Sequence, residues 1–135
     1  MKKKNKRYIF DQFRKKYVVL TPEEWVRQNF LRFLVAEKGY KPSLIVVEAS
    51  LRYHSMKKRC DALIYNSLGK VLMILECKST GIELSQKVFD QIIRYNYPFQ
   101  VEYLTITNGL THYCCKIDYS LGKYEFLSNI PDYFE

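Results

Sequence analysis

Two strand-like runs, residues 60–66 and 70–78, are separated by Ser67-Leu68-Gly69, and this pairing constrains the chain more than any other feature. A turn there makes them a hairpin. Symmetric pairing between Leu68 and Gly69 matches residues whose numbers sum to 137. It sets Asp61 opposite Glu76, Leu63 opposite Ile74 and Tyr65 opposite Leu72. Lys78 follows Glu76 by two residues and so projects from the same face. A register slip of one residue would send Asp61 to the other face.

One sheet end therefore collects two carboxylates and an ammonium. Like charges directly opposite one another destabilise a strand pair, and a divalent cation would offset that cost. Hard oxygen ligands suit Mg²⁺, which keeps several waters and accepts phosphate oxygens. Lys78 could then orient or deprotonate a nucleophilic water, or stabilise charge developing on a phosphate. The competing reading is two surface strand ends with their charges splayed into solvent. The same symmetry sets Cys60 opposite Cys77 on the reverse face, as neighbouring core thiols.

Around this hairpin the pattern predicts a layered α/β fold. Thr21-Pro22-Glu23-Glu24 is a helix start: Thr21 at the N-cap, Pro22 at N1, and Glu24 closing a capping box. Trp25, Phe30, Phe33 and Leu34 give that helix an apolar face, and Gly39 ends it. Residues 43–48 read as a strand and 52–59 as an exposed basic loop. A second helix is expected over about 84–97. Strands 101–107 and 111–117 flank an Asn108-Gly109 turn, and 123–127 form a short edge strand. The first three strands form an antiparallel meander, and the second helix allows a crossover to a parallel strand.

Composition fixes the remaining bounds. The chain of 135 residues fits one domain, with 47% hydrophobic residues to fill a core. Its longest apolar run, residues 71–75, spans no bilayer, and no signal peptide follows the lysine-rich start. A cytoplasmic protein without membrane contact is expected. The formal charge is 22 − 14 = +8, yet residues 1–20 alone hold eight basic residues and one acid. That divides the chain into a basic N-terminal arm, residues 1–20, and a nearly neutral domain, residues 21–135. Such an arm is an electrostatic footprint of nucleic-acid binding or a solubilising tail. The four cysteines show no C-x-x-C spacing, so neither a zinc site nor a disulfide framework is expected.

Arg59-Cys60-Asp61-Ala62-Leu63-Ile64 and Leu75-Glu76-Cys77-Lys78-Ser79 resemble the R-x-D and E-C-K signatures of the PD-(D/E)XK nuclease superfamily. More specifically, the chain is similar to the N-terminal nuclease domain of type I restriction enzyme R subunits and their small standalone relatives. Pro22-Glu23-Glu24-Trp25-Val26-Arg27, Gly39-Tyr40-Lys41-Pro42, Gln91-Ile92-Ile93-Arg94-Tyr95-Asn96 and Thr107-Asn108-Gly109 extend the resemblance over about residues 21–118.

The resemblance implies a restriction-endonuclease-like three-layer sandwich with a central mixed β-sheet flanked by helices. It implies Mg²⁺-dependent hydrolysis of DNA phosphodiester bonds, with Mn²⁺ able to substitute. Asp61 and Glu76 match the metal-binding carboxylates, the Cys77 carbonyl a backbone ligand, and Lys78 the catalytic lysine. Glu24 matches an acidic residue of the first helix near the metal, and Gln91 and Tyr95 a Q-x-x-x-Y motif beside the site. Arg27, Lys57, Lys58 and Arg59 are candidate nucleic-acid contacts. Each has a plainer competitor. Glu24 can serve only the capping box, Arg27 can pair with Glu23 or Glu24, Gln91 and Tyr95 can cap and pack their helix, and a basic loop can simply be solvated. No G-x-x-x-x-G-K-[ST] sequence is present. The chain would then cut unaided, draw on motor or specificity subunits in trans, act as a homodimer, or have left restriction. The alternatives to a nuclease are a non-catalytic nucleic-acid-binding module that keeps the fold and a structural subunit offering its 12 tyrosines to a partner protein.

Overall fold

The computed structural model describes residues 5–133. Two strands, β1 (Tyr8–Asp11) and β2 (Lys16–Val19), precede helix α1 (Pro22–Lys38). Then come β3 (Ile45–Tyr53), β4 (Met56–Tyr65), β5 (Val71–Cys77), helix α2 (Gln86–Asn96), β6 (Tyr103–Thr107), β7 (His112–Asp118) and β8 (Lys123–Leu127). β3 to β8 form one six-stranded sheet in chain order. Only β5 and β6 pair in parallel, across the α2 crossover.

The two helices cover opposite faces of this sheet. Val26, Phe30, Leu31 and Leu34 of α1 pack on Ala62, Ile64, Met73 and Leu75. Phe89, Ile92 and Ile93 of α2 pack on Leu63, Ile74, Leu104 and Ile106. Strands β5 and β6, at the centre, are therefore apolar on both faces, as their near-continuous burial shows. Each fully buried leucine contributes about 2 kcal/mol relative to exposure. α1 starts as its sequence dictates: Thr21 Oγ1 accepts the Glu24 N–H at 3.0 Å, and Gly39 closes the helix with φ 74°.

Four features depart from the sequence reading. First, residues 52–59 are no loop. β3 and β4 pair as far as Tyr53↔Met56 around a turn at His54-Ser55. The charges there obscure the strand pattern because that ribbon has no buried face at its tip. Second, the β4–β5 register sums to 137 from Ala62↔Leu75 to Ile64↔Met73, but a bulge shifts Tyr65 onto Val71 instead of Leu72.

Third, Cys60 and Cys77 do not face one another. Cys60 packs with the α2 cluster and Cys77 with the α1 cluster. Both strands switch faces beside a kink where Glu48 adopts φ 53°: Val47↔Ala62 packs with the α1 cluster and Ala49↔Cys60 with the α2 cluster. Fourth, the basic segment before α1 is no free arm from Tyr8 onward. It folds as the β1–β2 hairpin, with Phe13 against the core and Asp11 fully buried. Lys2, Lys3 and Lys4 lie outside the described residues.

Candidate active site

Asp61 sits where β4 parts from β5, and Glu76, Cys77 and Lys78 occupy the facing end of β5. The Asp61 carboxylate accepts the Cys77 N–H through Oδ2 at 2.7 Å, so its side chain replaces the next rung of the ladder. The Lys78 N–H donates to the Thr107 carbonyl at 2.8 Å, which fixes the chain end that carries the ammonium. Asp61, Glu76, Cys77 and Lys78 all line one open cavity of about 500 Å³. Glu76 and Lys78 also line a second cavity of about 320 Å³, together with Lys58, Gln91, Tyr95 and Asn96.

The wall on the α1 side is an arginine network. Arg27 is buried. Its Nη1 lies 3.1 Å from Glu24 Oε2 and 3.4 Å from Glu48 Oε1, and its Nη2 lies 3.3 Å from Asp61 Oδ1. Arg14, from the turn of the β1–β2 hairpin, bridges Asp11, Glu24 and Glu48. Burial pushes the Glu48 carboxyl up, but Arg14, Arg27 and Arg59 outweigh it and hold it below the usual carboxylate range. Asp11 behaves alike: its burial is outweighed by the hydrogen bonds from Arg14 and the Phe13 amide.

The wall on the α2 side holds lysines and amides. Lys58 Nζ lies 3.3 Å from Glu76 Oε1, and Asn96 Nδ2 donates to the same oxygen at 3.4 Å. Here burial prevails. It raises the Glu76 pKa, the charge of Asp61 adds to the rise, and Lys58 and Asn96 only partly oppose it. Lys78 makes no ion pair with any described residue. Cys60, beneath this wall, is pushed up to about 12 by burial and then by Glu76, so it is an inert thiol.

The sequence candidates thus separate. Asp61, Glu76, Lys78 and the Cys77 backbone converge on one cavity, and Gln91 and Tyr95 border the adjoining one. Glu24 does not reach the cavity. Its carboxylate binds Arg14 and Arg27 and does not even close the capping box, since the Thr21 N–H goes to Val19. Glu23 lines the cavity in its place, and partial burial and the nearby Asp61 raise its pKa. Arg27, expected to contact nucleic acid, is enclosed by three carboxylates and holds Asp61 instead. Lys58 is paired with Glu76, Arg59 is exposed beside Glu48, and Lys57 is exposed.

Glu48, Glu23, Arg14 and Asn96 were not found by sequence reasoning. Glu48 had a signal: a β3–β4 turn at His54-Ser55 would have paired it with Asp61 by the same symmetry used for the inner hairpin. Arg14 had none, because its partners come from β1, α1 and β3.

A family model described as the type I restriction enzyme R protein N terminus matches residues 22–131. The chain belongs to this family. Among solved structures, one described as an HsdR subunit fragment of a type I restriction enzyme from Vibrio vulnificus superposes with a TM-score of 0.54 at 20% identity. The match covers 83% of this chain and 24% of that one, so the present chain spans about a quarter of its relative. A protein from Anabaena variabilis described as a nuclease aligns over 96% of this chain and 80% of its own, at 8% identity and a TM-score of 0.49. No curated protein sequence matches the chain. The restriction-enzyme R-protein family and the three-layer mixed sheet together identify a restriction-endonuclease-like fold.

Within this family domain, the oxygen donors can be tested against a metal. No three His, Cys, Asp or Glu side chains among the described residues form a ready cage. Two carboxylates and a chain carbonyl beside an open cavity fit what a hydrated Mg²⁺ would need, since that ion takes one or two carboxylates and fills its sphere with water and phosphate oxygen. No helix among the described residues is long and apolar enough to cross a membrane.

Proposed function

We propose that this domain hydrolyses phosphodiester bonds of DNA with a divalent cation, Mg²⁺ or Mn²⁺, held by Asp61, Glu76 and the Cys77 carbonyl. The observation that carries this reading is the meeting of Asp61, Glu76 and an unpaired Lys78 at one cavity, within the fold of a restriction-enzyme family. The cation would supply Lewis-acid activation of the phosphate and a more acidic water. Lys78, pinned through its backbone to Thr107, lines the cavity, where its ammonium would stabilise charge on the phosphoryl oxygens. Arg27 fixes the Asp61 carboxylate, and Lys58 holds Glu76 until a competing cation arrives. Gln91 and Tyr95, exposed beside Lys58 and Lys78, would steady the flanking nucleotide. Motor or specificity subunits acting in trans, and a homodimer, belong to the same proposal.

The test is cleavage of supercoiled plasmid with Mg²⁺ or Mn²⁺ against EDTA, using the full chain and Asp61→Ala. Metal-dependent nicking that Asp61→Ala abolishes supports the reading; nicking by Asp61→Ala at the full rate refutes it. A second reading is a non-catalytic nucleic-acid-binding domain. It is favoured by the resting pairs Asp61–Arg27 and Glu76–Lys58, which neutralise both carboxylates without metal. DNA binding with no cleavage under any of these conditions would select it.

A further inference from the structure

β4 keeps pairing with β3 after it has left β5. The last regular β4–β5 pair is Ala62↔Leu75, whereas β3–β4 pairs continue from Ala49↔Cys60 to Tyr53↔Met56. Residues 49–60 are therefore a two-stranded ribbon whose base, at Lys58, Arg59 and Cys60, lines the two cavities. It carries Arg52, Lys57, Lys58 and Arg59 and no acid.

The register sorts these cations. Arg52 lies opposite Lys57 and Ser50 opposite Arg59, which places Arg52, Lys57 and Arg59 on one face. Leu51 and Lys58 take the other face, where Leu51 packs on the α2 cluster and Lys58 meets Glu76. One face is anchored and the other is cationic. Arg59 is shared with Glu48, but Arg52 and Lys57 are exposed and ion-paired to no described residue. Like charges directly opposite destabilise the pair they sit on. Nothing in the described chain offsets this, and a polyanion outside it would.

Shape narrows the polyanion. A two-stranded antiparallel ribbon fits the major groove of B-form DNA, about 12 Å wide. The deep, narrow major groove of A-form RNA does not admit it. Lys57 and Asp61 share one strand, four residues apart, which is about 14 Å at about 3.4 Å per residue. On DNA that is about four base pairs. We propose that ribbon 49–60 grips duplex DNA in the major groove through Arg52 and Lys57. If Asp61 marks the scissile phosphate, the grip falls about four base pairs from it; this second clause alone rests on the nuclease reading.

The test is fluorescence anisotropy of the full chain in EDTA, across a salt series, with a duplex DNA, one of its single strands and a duplex RNA of the same sequence. With Arg52→Gln/Lys57→Gln, the log–log salt slope on duplex DNA should become shallower by about 2, at about 0.9 per lost phosphate contact. The slopes on single strand and RNA should stay put. Equal slopes for both proteins on duplex DNA, or equal losses on all three nucleic acids, would overturn the grip. Lys57→Glu separates contact from folding, because it places an acid opposite Arg52. It should hold or raise Tm while weakening duplex affinity; a fall in both would remove the repulsion on which the proposal stands. With Mg²⁺, cuts nearer than about four base pairs to every duplex end would refute the spacing. Absence of cutting with the slope change intact would fell the nuclease reading and leave the grip standing.

Discussion

The two walls of the cavity hold Asp61 and Glu76 differently. Asp61 faces a buried arginine network with several carboxylates sharing two guanidinium groups. Glu76 faces one half-exposed lysine and one amide. A guanidinium is a planar fork that fixes the direction of its partners, whereas an ammonium is a mobile point charge. The α1 wall is therefore built to keep a geometry and the α2 wall to exchange partners. The charge balance follows the same contrast: at Glu48 the arginines outweigh burial and the carboxyl ionises more readily than a free one, whereas at Glu76 burial prevails and it ionises less readily.

The sharpest way to break this comparison is to remove one cation from each wall. Arg27→Ala leaves Asp61, Glu24 and Glu48 without their shared partner. It should cost about 3–5 kcal/mol of stability, read from urea unfolding. A loss below about 1 kcal/mol would show that the network is not structural. Lys78→Ala should do the reverse. Unfolding should shift by less than about 0.5 kcal/mol, while the cleavage rate at saturating DNA falls by about 10²–10³-fold, or about 3–4 kcal/mol of transition-state stabilisation. Equal losses of rate and DNA affinity would make Lys78 a phosphate anchor.

Proton linkage probes the walls more gently. The folded pKa of Glu76 is raised, so its contribution to stability is fully present below the unfolded value, near 4.5, and is lost as pH rises through the folded value. Glu76→Gln should therefore melt higher than the parent at neutral pH in metal-free buffer, and the two curves should converge in acid. Glu48 runs the other way. Its folded pKa is lowered, so its stabilisation is present above the unfolded value and fades as pH falls through the folded one. A parent Tm gap that widened in acid for Glu76→Gln would invert the assignment of the walls. The smallest effect belongs to Arg59, which is 71% exposed on its side chain beside Glu48. Arg59→Gln should change unfolding by no more than about 0.5 kcal/mol, and a larger change would extend the rigid network to the surface.

Much of the fold was legible because it is local. The Thr21 cap, the centre of the inner hairpin from Ala62↔Leu75 to Ile64↔Met73, and the α2 crossover each depend on residues close in sequence, and each forms as its pattern dictates. The inner hairpin also brought Asp61, Glu76 and Lys78 to one place. What was not legible is tertiary. The choice between Glu23 and Glu24 turns on where Arg14 lands, and Arg14 arrives from a hairpin packed against α1 and β3. The face of Cys60 switches beside a left-handed residue, Glu48, in the neighbouring strand, which no local pattern announces. Net charge was misleading for a related reason: summing the first twenty residues counts Arg14 as outward when it points in.

The parallel join between β5 and β6 also has a consequence in time. It is the sole sheet contact among the described strands that spans a helix, so it closes the longest loop and forms late relative to the two meanders it unites. On one side lies β3–β4–β5 and on the other β6–β7–β8. The Lys78 N–H bonded to Thr107 sits at the end of this seam. Transient parting of the two halves would free Lys78 before it disturbed the Asp61 hairpin. Amide exchange at Lys78 should accordingly be faster than at Ile64, so the lysine to which we assign the chemistry is secured by the last part of the sheet to assemble.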